Sequence, residues 1–152
     1  MSITASGLYG LTLEKFLNVT SLPASGLESE TAVKVLMVTD SETPDFNADN
    51  FRDDVTANEV SGTGYSAGGV VITSTELTLS GGTLTYDAAD ASWAASTIAS
   101  AMAAVGYFAR GGADTADELV WLSDFVTAAS SSSGLFTVQW AAAGIFTVDF
   151  TP

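Results

Sequence analysis

The stretch that decides the fold runs from residue 58 to residue 72 and reads NEVSGTGYSAGGVVI. Its glycines allow the positive φ angles that residues with a Cβ atom avoid. The cluster therefore predicts a turn that leads directly into a strand beginning at Val70. Tyr65 lies between two glycine pairs, and we expect its ring to pack onto the edge of the core. The glycines of this structural turn are Gly62, Gly64, Gly68 and Gly69.

Alternating apolar residues predict strands on both sides of the turn. The segment Val33–Val38 is apolar on both faces, which indicates a central strand or one covered by an N-terminal helix. Residues 70–79 predict one continuous strand, and Gly81-Gly82 predicts a hairpin that returns through residues 83–86. Residues 118–125 predict a further strand. Residues 135–140 and 145–150 predict two strands, which we expect to form a terminal hairpin held by aromatic pairs.

Two other segments are less clear. Residues 88–97, around Trp93, are expected to form a loop. The alanine-rich segment Ile98–Arg110 permits a helix by local propensity, but its neighbours are strands at turn spacing, so we assign a strand.

We expect the 152 residues to form one domain. Its parts are a flexible N-terminal arm at residues 1–10, a short helix at residues 11–18 and a β-sandwich at residues 31–152. The predicted fold class is mainly β, an antiparallel β-sandwich or barrel-like domain with a short N-terminal helix.

The net charge of −14 arises from 18 acids against four bases, Lys15, Lys34, Arg52 and Arg110. Such a chain is repelled by phosphate backbones and anionic membranes, so we expect neither as a partner. The chain contains no cysteine or histidine, which excludes disulfides, thiolate metal sites and histidine-based catalysis. Neither a signal peptide nor a segment long enough to cross a bilayer is evident, so we expect a protein made in the cytoplasm.

Three kinds of functional site have candidate residues in this sequence, and each set has a simpler interpretation. Asp87, Asp90 and the acids of residues 45–54 have the oxygen ligands of a calcium site, but no run matches a calcium loop, which favours solvated loops. Trp93, Trp121 and Trp140 offer stacking surfaces for sugars, but an aromatic residue in or beside a strand is more often part of the core. Paired carboxylates of a hydrolase are expected by chance in so acidic a chain. We therefore predict no catalytic, cofactor-binding or metal-binding residues.

The order of several motifs resembles a family of small tailed-bacteriophage virion proteins. The most specific motif is the run from Asn58 to Tyr65 with the following Gly68-Gly69-Val70. The second is the closing pair of segments, from Ser133 to Trp140 and from Ala143 to Ile145. The apolar helix at residues 8–17, the strand leading to Thr43-Pro44-Asp45, and the segments at residues 90–93 and 96–98 continue the resemblance, which covers most of the chain.

The resemblance implies a non-enzymatic structural protein of the virion, most often a decoration or cement protein on the outside of the head. The implied partners are the major capsid protein or other virion proteins, and further copies of this chain. The residues expected to contact them belong to the N-terminal arm and helix: Ile3, Leu8, Tyr9 and Leu11. Deleting residues 1–10 is expected to abolish this contact without unfolding the domain. Two alternatives remain: a tail, neck or head-fibre component, and a carbohydrate-binding module.

Overall fold

The computed structural model describes residues 3–12, 14, 26–28 and 32–150. These residues form a mainly β domain of three antiparallel sheets, as the predicted fold class requires. The strands are β1 (Gly7–Leu8), β2 (Val33–Thr39), β3 (Gly62–Thr63), β4 (Val70–Val71), β5 (Glu76–Ser80), β6 (Thr83–Asp87), β7 (Ala91–Ile98), β8 (Ala101–Phe108), β9 (Leu119–Ala129), β10 (Gly134–Val138) and β11 (Phe146–Asp149). A short α-helix spans Asp53–Thr56, and a 3-10 helix spans Asp114–Ala116.

The largest sheet has five strands in the order β1-β9-β8-β2-β4, and both of its faces are buried. Val33, Val35 and Met37 enter one core cluster, whereas Leu36 and Val38 enter the other. A strand with apolar residues on both sides must be covered on both sides, because exposed apolar surface is unfavourable. The prediction that β2 is a central strand is therefore confirmed.

The two smaller sheets have the orders β10-β7-β3 and β11-β6-β5, and both contribute to the same core cluster on one face of the large sheet. Trp121 of β9 joins the large sheet to the sheet β11-β6-β5, with its ring centroid 5.5 Å from that of Tyr86 and 6.1 Å from that of Phe146. The ring centroid of Trp93 in β7 lies 5.8 Å from that of Tyr65 and 6.2 Å from that of Phe136. The opposite face of the large sheet is covered by the N-terminal segment and by the loop that follows β2.

Two predicted strand connections are wrong. Residues 70–79 form two strands in different sheets, separated at Ser74, whose φ of 53° is incompatible with continuous extended backbone. The last two strands do not form a hairpin: β10 pairs with β7, and β11 pairs with β6. The hairpin at Gly81-Gly82 is confirmed by the pairing of Ser80 with Thr83.

The alanine-rich region between residues 88 and 110 forms two strands. Residues 88–97 were expected to form a loop, but β7 begins at Ala91 and extends to Ile98. Ala91, Trp93, Ser96 and Ile98 are its buried residues, so the alternation exists but is carried partly by small residues that resemble a loop in sequence. Ala101–Phe108 is the strand β8, which confirms the assignment of that segment.

The N-terminal arm is not a flexible extension over the residues that the structure describes. The backbone N–H of Tyr9 donates to the carbonyl of Val120 at 3.0 Å, and β1 pairs with β9. Ile3 and Tyr9 are buried in the same cluster as Leu36 and Val38, so the N-terminal segment removes this apolar face of the large sheet from water. Residues 10–12 and 14 are helical, and the rest of the helix predicted at residues 11–18 lies outside the described residues.

Candidate functional site

The glycine turn has the backbone that its sequence predicts. The φ angles of Gly62, Gly64, Gly68 and Gly69 are 153°, 75°, 83° and 65°. Two of these positions also lie against neighbouring backbone: a Cβ atom on Gly62 would lie 1.9 Å from the carbonyl oxygen of Thr97, and one on Gly69 would lie 1.8 Å from that of Val35. The turn therefore holds β3 against β7 and β4 against β2 at distances that only glycine permits.

The carboxylate of Glu59 joins two parts of this turn by hydrogen bonds. One of its carboxylate oxygens, Oε1, accepts hydrogen bonds from the hydroxyl of Tyr65 and from the backbone N–H of Gly68, each at 2.7 Å. The Tyr65 hydroxyl in turn accepts from the backbone N–H of Met37 at 3.1 Å. Burial and the bond to Glu59 raise the pKa of Tyr65, so this phenol stays protonated and acts as a fixed hydrogen-bond donor. The predicted packing of Tyr65 onto the core edge is confirmed by its stacking on Trp93.

Arg52 and Tyr107 support the turn from the other side. The Tyr107 hydroxyl donates to the carbonyl of Gly68 at 2.7 Å, and the guanidinium carbon of Arg52 lies 5.3 Å from the centre of the Tyr107 ring. Arg52 Nε donates to Asp117 Oδ2 at 3.0 Å, and the same guanidinium pairs with Asp114. A cation over an aromatic ring and beside carboxylates is held in one place. This geometry fixes the loop before β9 to the glycine turn.

Arg110, like Arg52, forms an ion pair with a carboxylate of the same domain. Its guanidinium forms two hydrogen bonds of 2.7 Å with the two carboxylate oxygens of Glu118, an arrangement that raises the pKa of Arg110. Its backbone N–H donates to Asp117 Oδ1 at 2.7 Å. Asp117 is buried and accepts hydrogen bonds from both arginines, from Nε of Arg52 and from the backbone N–H of Arg110. These ion pairs join loops of one domain and leave both guanidinium groups engaged.

The acidic loop at residues 42–54 contains a buried carboxylate. Glu42 is only 3% exposed, and its oxygens accept from Asn58 Nδ2 and from the Thr43 backbone N–H, each at 3.0 Å. Burial raises its pKa, and the nearby charges of Asp49 and Asp54 add to the effect. Within residues 3–12, 14, 26–28 and 32–150, no group of three or more acidic side chains is arranged to hold a metal ion.

The tryptophans are mainly core residues. Trp93 and Trp121 are 3% and 1% exposed, so neither presents a ring face to a sugar. Trp140 is half-buried and packs against Trp121, and its Nε1 donates to the carbonyl of Ala89 at 3.1 Å. The sugar-binding alternative therefore has no exposed tryptophan platform among these three residues.

The proposed contact residues of the N-terminal arm do not form one exposed surface. Ile3 and Tyr9 are buried in the core cluster beneath the large sheet, whereas Leu8 and Leu11 are half-buried. A side chain that the core covers cannot at the same time cover another protein. The arm prediction therefore does not fit this conformation for Ile3 and Tyr9.

An exposed apolar side chain, Leu79, and two half-buried ones, Leu84 and Val148, lie instead on the sheet β11-β6-β5. The strand register places Leu79, Leu84 and Val148 side by side across the three strands. Opposed residues share a face, and here it is the face on which Tyr86 and Phe146 meet Trp121. The apolar face of this sheet therefore extends beyond the core that it covers.

The residue that follows β11 is also apolar and exposed. Phe150 lies two residues beyond Val148, and its backbone N–H donates to the carbonyl of Gly82 at 2.8 Å. Leu79 is 66% exposed and Phe150 is 64% exposed. We call Leu79, Leu84, Val148 and Phe150 the apolar ledge. The sequence pattern predicts strands at these residues but not a ledge; the signal for the ledge is their alternation, which continues past the point where the core ends.

Comparison of the chain with protein-family models, with curated proteins and with solved structures finds no match. In the part of the chain that the structure describes, no helix is long and apolar enough to cross a membrane.

Proposed function

We propose that this chain is a structural protein of a tailed-bacteriophage virion, a decoration or cement protein that binds the outer surface of the head and stabilises it. The observation that carries the proposal is that charged side chains are used within the domain while large apolar side chains are exposed. The arginines and several carboxylates hold the domain's own loops together, whereas large apolar side chains on its strands stand in solvent. Exposed apolar surface of this kind is typical of a protein that other proteins cover.

The resemblance of the sequence to small virion proteins supplies the setting. A cement protein works by burying apolar surface at the joints between capsid subunits, which is favourable because that surface is removed from water. One weak contact is repeated at every equivalent position of the shell, so the total effect is large. A domain whose loops are fixed by ion pairs and by a closed glycine turn loses little conformational entropy on binding.

The proposal is tested on particles of the phage whose genome encodes this chain. Quantitative mass spectrometry of purified particles is expected to find the chain in hundreds of copies, as symmetry requires for a head decoration. A copy number of tens or fewer would assign the chain to the tail, neck or a head fibre. Its absence from the particles would overturn the virion proposal.

A second measurement tests the stabilising role. Particles assembled without this chain are expected to release their DNA at a lower temperature than complete particles, because the added interfaces oppose expansion of the shell. Adding the purified protein back is expected to restore the original temperature. Unchanged thermal release in both preparations would exclude a cement role.

A further inference from the structure

We propose that the open edge of β10 binds the same edge of a second copy of this chain, so that an antiparallel strand pair joins two domains. β10 is the outermost strand of the sheet β10-β7-β3. Alternate residues of such a strand direct their N–H and C=O groups away from the neighbouring strand. Within the residues that the structure describes, no backbone hydrogen bond joins residues 135–139 to any segment except β7. The inference goes beyond the proposed function and does not depend on it.

β10 lacks the features that protect the other edge strands from pairing. Strands β1, β3 and β4 are only two residues long. β5 carries Glu76, and the backbone N–H of Leu77 in this strand donates to Glu28 Oε1 at 3.2 Å. β11 carries Asp149. Charged side chains and very short strands are the usual means by which an edge is kept from pairing with another chain. β10 has five residues and no charged side chain.

The sequence of β10 is typical of a segment that pairs with itself. Residues 135–140 read LFTVQW, without charge, proline or glycine and with high β propensity. Phe136 and Val138 are buried in the core, so the strand is held in place before a partner arrives. Leu135 is 67% exposed, and Thr137 is exposed as well. The irregularity in the β10–β7 pairing comes from an additional residue in β7, so β10 itself contains no bulge.

The distribution of charge argues that the partner is a second copy. Two copies, each with a net charge of −14, repel each other, so their contact is least unfavourable where acids are absent. No charged residue occurs between Asp124 and Asp149, and none occurs in β7 or β3. Of the three sheets that the described residues form, β10-β7-β3 is therefore the one without charge. Asp90 lies just before β7, and its carboxylate accepts from the backbone N–H of Trp140 at 3.0 Å, beyond the end of β10. A basic partner would find no carboxylate within this sheet to pair with.

A two-fold axis perpendicular to the sheet produces the contact. Such an axis reverses the strand direction, so the two β10 strands run antiparallel and each residue contact occurs twice. Leu135 and Thr137 of both copies then lie on one face of the joined sheet as cross-strand neighbours. A pair of five-residue strands buries much less than the roughly 800 Å² per partner of a stable complex. We therefore expect a weak dimer whose population depends on concentration.

The test measures the oligomeric state of the purified full chain by sedimentation velocity over a range of concentrations. The dimer fraction of the unmodified chain is expected to rise with concentration and with salt, because salt screens the repulsion between acidic copies. Leu135→Lys is expected to raise the dissociation constant of the dimer about tenfold or more, because it brings two like charges to the shared edge. The variant is less acidic than the unmodified chain, so greater overall repulsion cannot explain the loss. The matched control is Leu79→Lys, which makes the same change at a leucine of edge strand β5 that is 66% exposed. This control is expected to dimerise at least as well as the unmodified chain.

Amide hydrogen exchange identifies the segment that is covered. The amides of residues 135–139 that point away from β7 are expected to exchange about tenfold or more slowly in the dimer than in the monomer, because each gains a hydrogen-bond partner. The amides of residues 76–80, in edge strand β5, are expected to exchange at the same rate in both states.

Several outcomes overturn the inference. A chain that stays monomeric up to about 1 mM does so, and so does a dimer that Leu135→Lys leaves intact. A dimer that Leu79→Lys disrupts as strongly places the contact elsewhere, and one that salt weakens contradicts an uncharged interface. If the chain is monomeric in solution and its β10 amides become protected only when assembled heads are added, the edge belongs to a capsid partner and not to a second copy. Failure of this inference leaves the virion proposal standing, because the copy number in particles decides that proposal separately.

Discussion

Gly106 in β8 lies directly opposite Trp121 in β9, and the indole ring occupies the space that a side chain at position 106 would need. A Cβ atom there would lie 2.2 Å from the ring carbons Cη2 and Cζ2 of Trp121. Trp121 is fully buried and is itself wedged against Tyr86 and Phe146. A bulky ring over a strand glycine compensates for the side chain that the glycine lacks.

Gly106→Ala is therefore expected to destabilise the domain by about 1–3 kcal/mol, the usual cost of overpacking a core that cannot move aside. The measurement is urea unfolding followed by tryptophan fluorescence. The matched control is Gly112→Ala, because nothing lies within 4 Å of a Cβ atom at that position and its φ is not positive; we expect a change within about 0.5 kcal/mol. Equal stabilities of the two variants would show that the indole does not occupy this space.

At the scale of elements, the N-terminal segment acts as a cover for one face of the large sheet. Ile3 donates its backbone N–H to Asp40 Oδ1 at 3.3 Å, and the backbone N–H of Gly10 donates to the carbonyl of Phe46 at 2.8 Å. Phe46 also packs on the ring of Tyr9, with 5.4 Å between ring centroids. Strand β1 is only two residues long, so its contribution comes mainly from these side chains and not from the strand pairing.

Deleting residues 1–10 is expected to destabilise the domain by about 5 kcal/mol or more, since removal of one large buried side chain alone costs about 3–5 kcal/mol. That loss is comparable to the whole stability of many domains. Far-ultraviolet circular dichroism and urea unfolding measure it. Tyr9→Phe serves as the control: the hydroxyl of Tyr9 is buried without a hydrogen-bond partner among the described residues, so its removal is expected to be neutral or stabilising. A truncated chain as stable as the full chain would restore the idea of a free arm.

The elements that could be predicted from sequence are those whose pattern is local. The alternation of β2 and the two glycines at 81–82 each specify their structure within a few residues. The split of residues 70–79 between two sheets was not predictable, because nothing in the pattern marks the left-handed backbone at Ser74. The final two strands have the sequence pattern of a hairpin, but β10 pairs with β7 and β11 pairs with β6, which lie far away in the sequence.

The candidate site follows the same rule. The positive φ angles of the glycine turn were predictable because glycine alone adopts them without strain. The role of Glu59 was not, since its two donors meet only after the turn has closed. The pair of Arg52 with Asp117 joins residues 65 positions apart, and the ledge depends on a register between three strands. Such long-range geometry leaves no local signal in the sequence.

At the scale of the whole molecule, 18 acids and four bases make stability dependent on pH. Burial raises the pKa of Glu42 above its ordinary value of 4.5, with Asp49 and Asp54 adding to it, although hydrogen bonds from Asn58 and Thr43 lower it. Burial likewise raises the pKa of Asp49. The folded state therefore holds these protons more tightly than the unfolded chain does. As the pH falls from 8 towards 4.5, the folded state takes up protons first, so its stability increases.

We therefore expect the free energy of unfolding to be larger at pH 5 than at pH 8, and lower self-repulsion at acid pH acts in the same direction. Urea unfolding at constant ionic strength across this range measures the slope. Glu42→Gln is expected to flatten the slope, because it removes the buried group that titrates; it also places an amide NH2 against one of the two donors that Glu42 accepts from, so part of the stability at every pH is lost. Asp53→Asn removes the same charge from an exposed position and separates net charge from burial. If both variants flatten the slope equally, the dependence belongs to the net charge and not to the buried carboxylate.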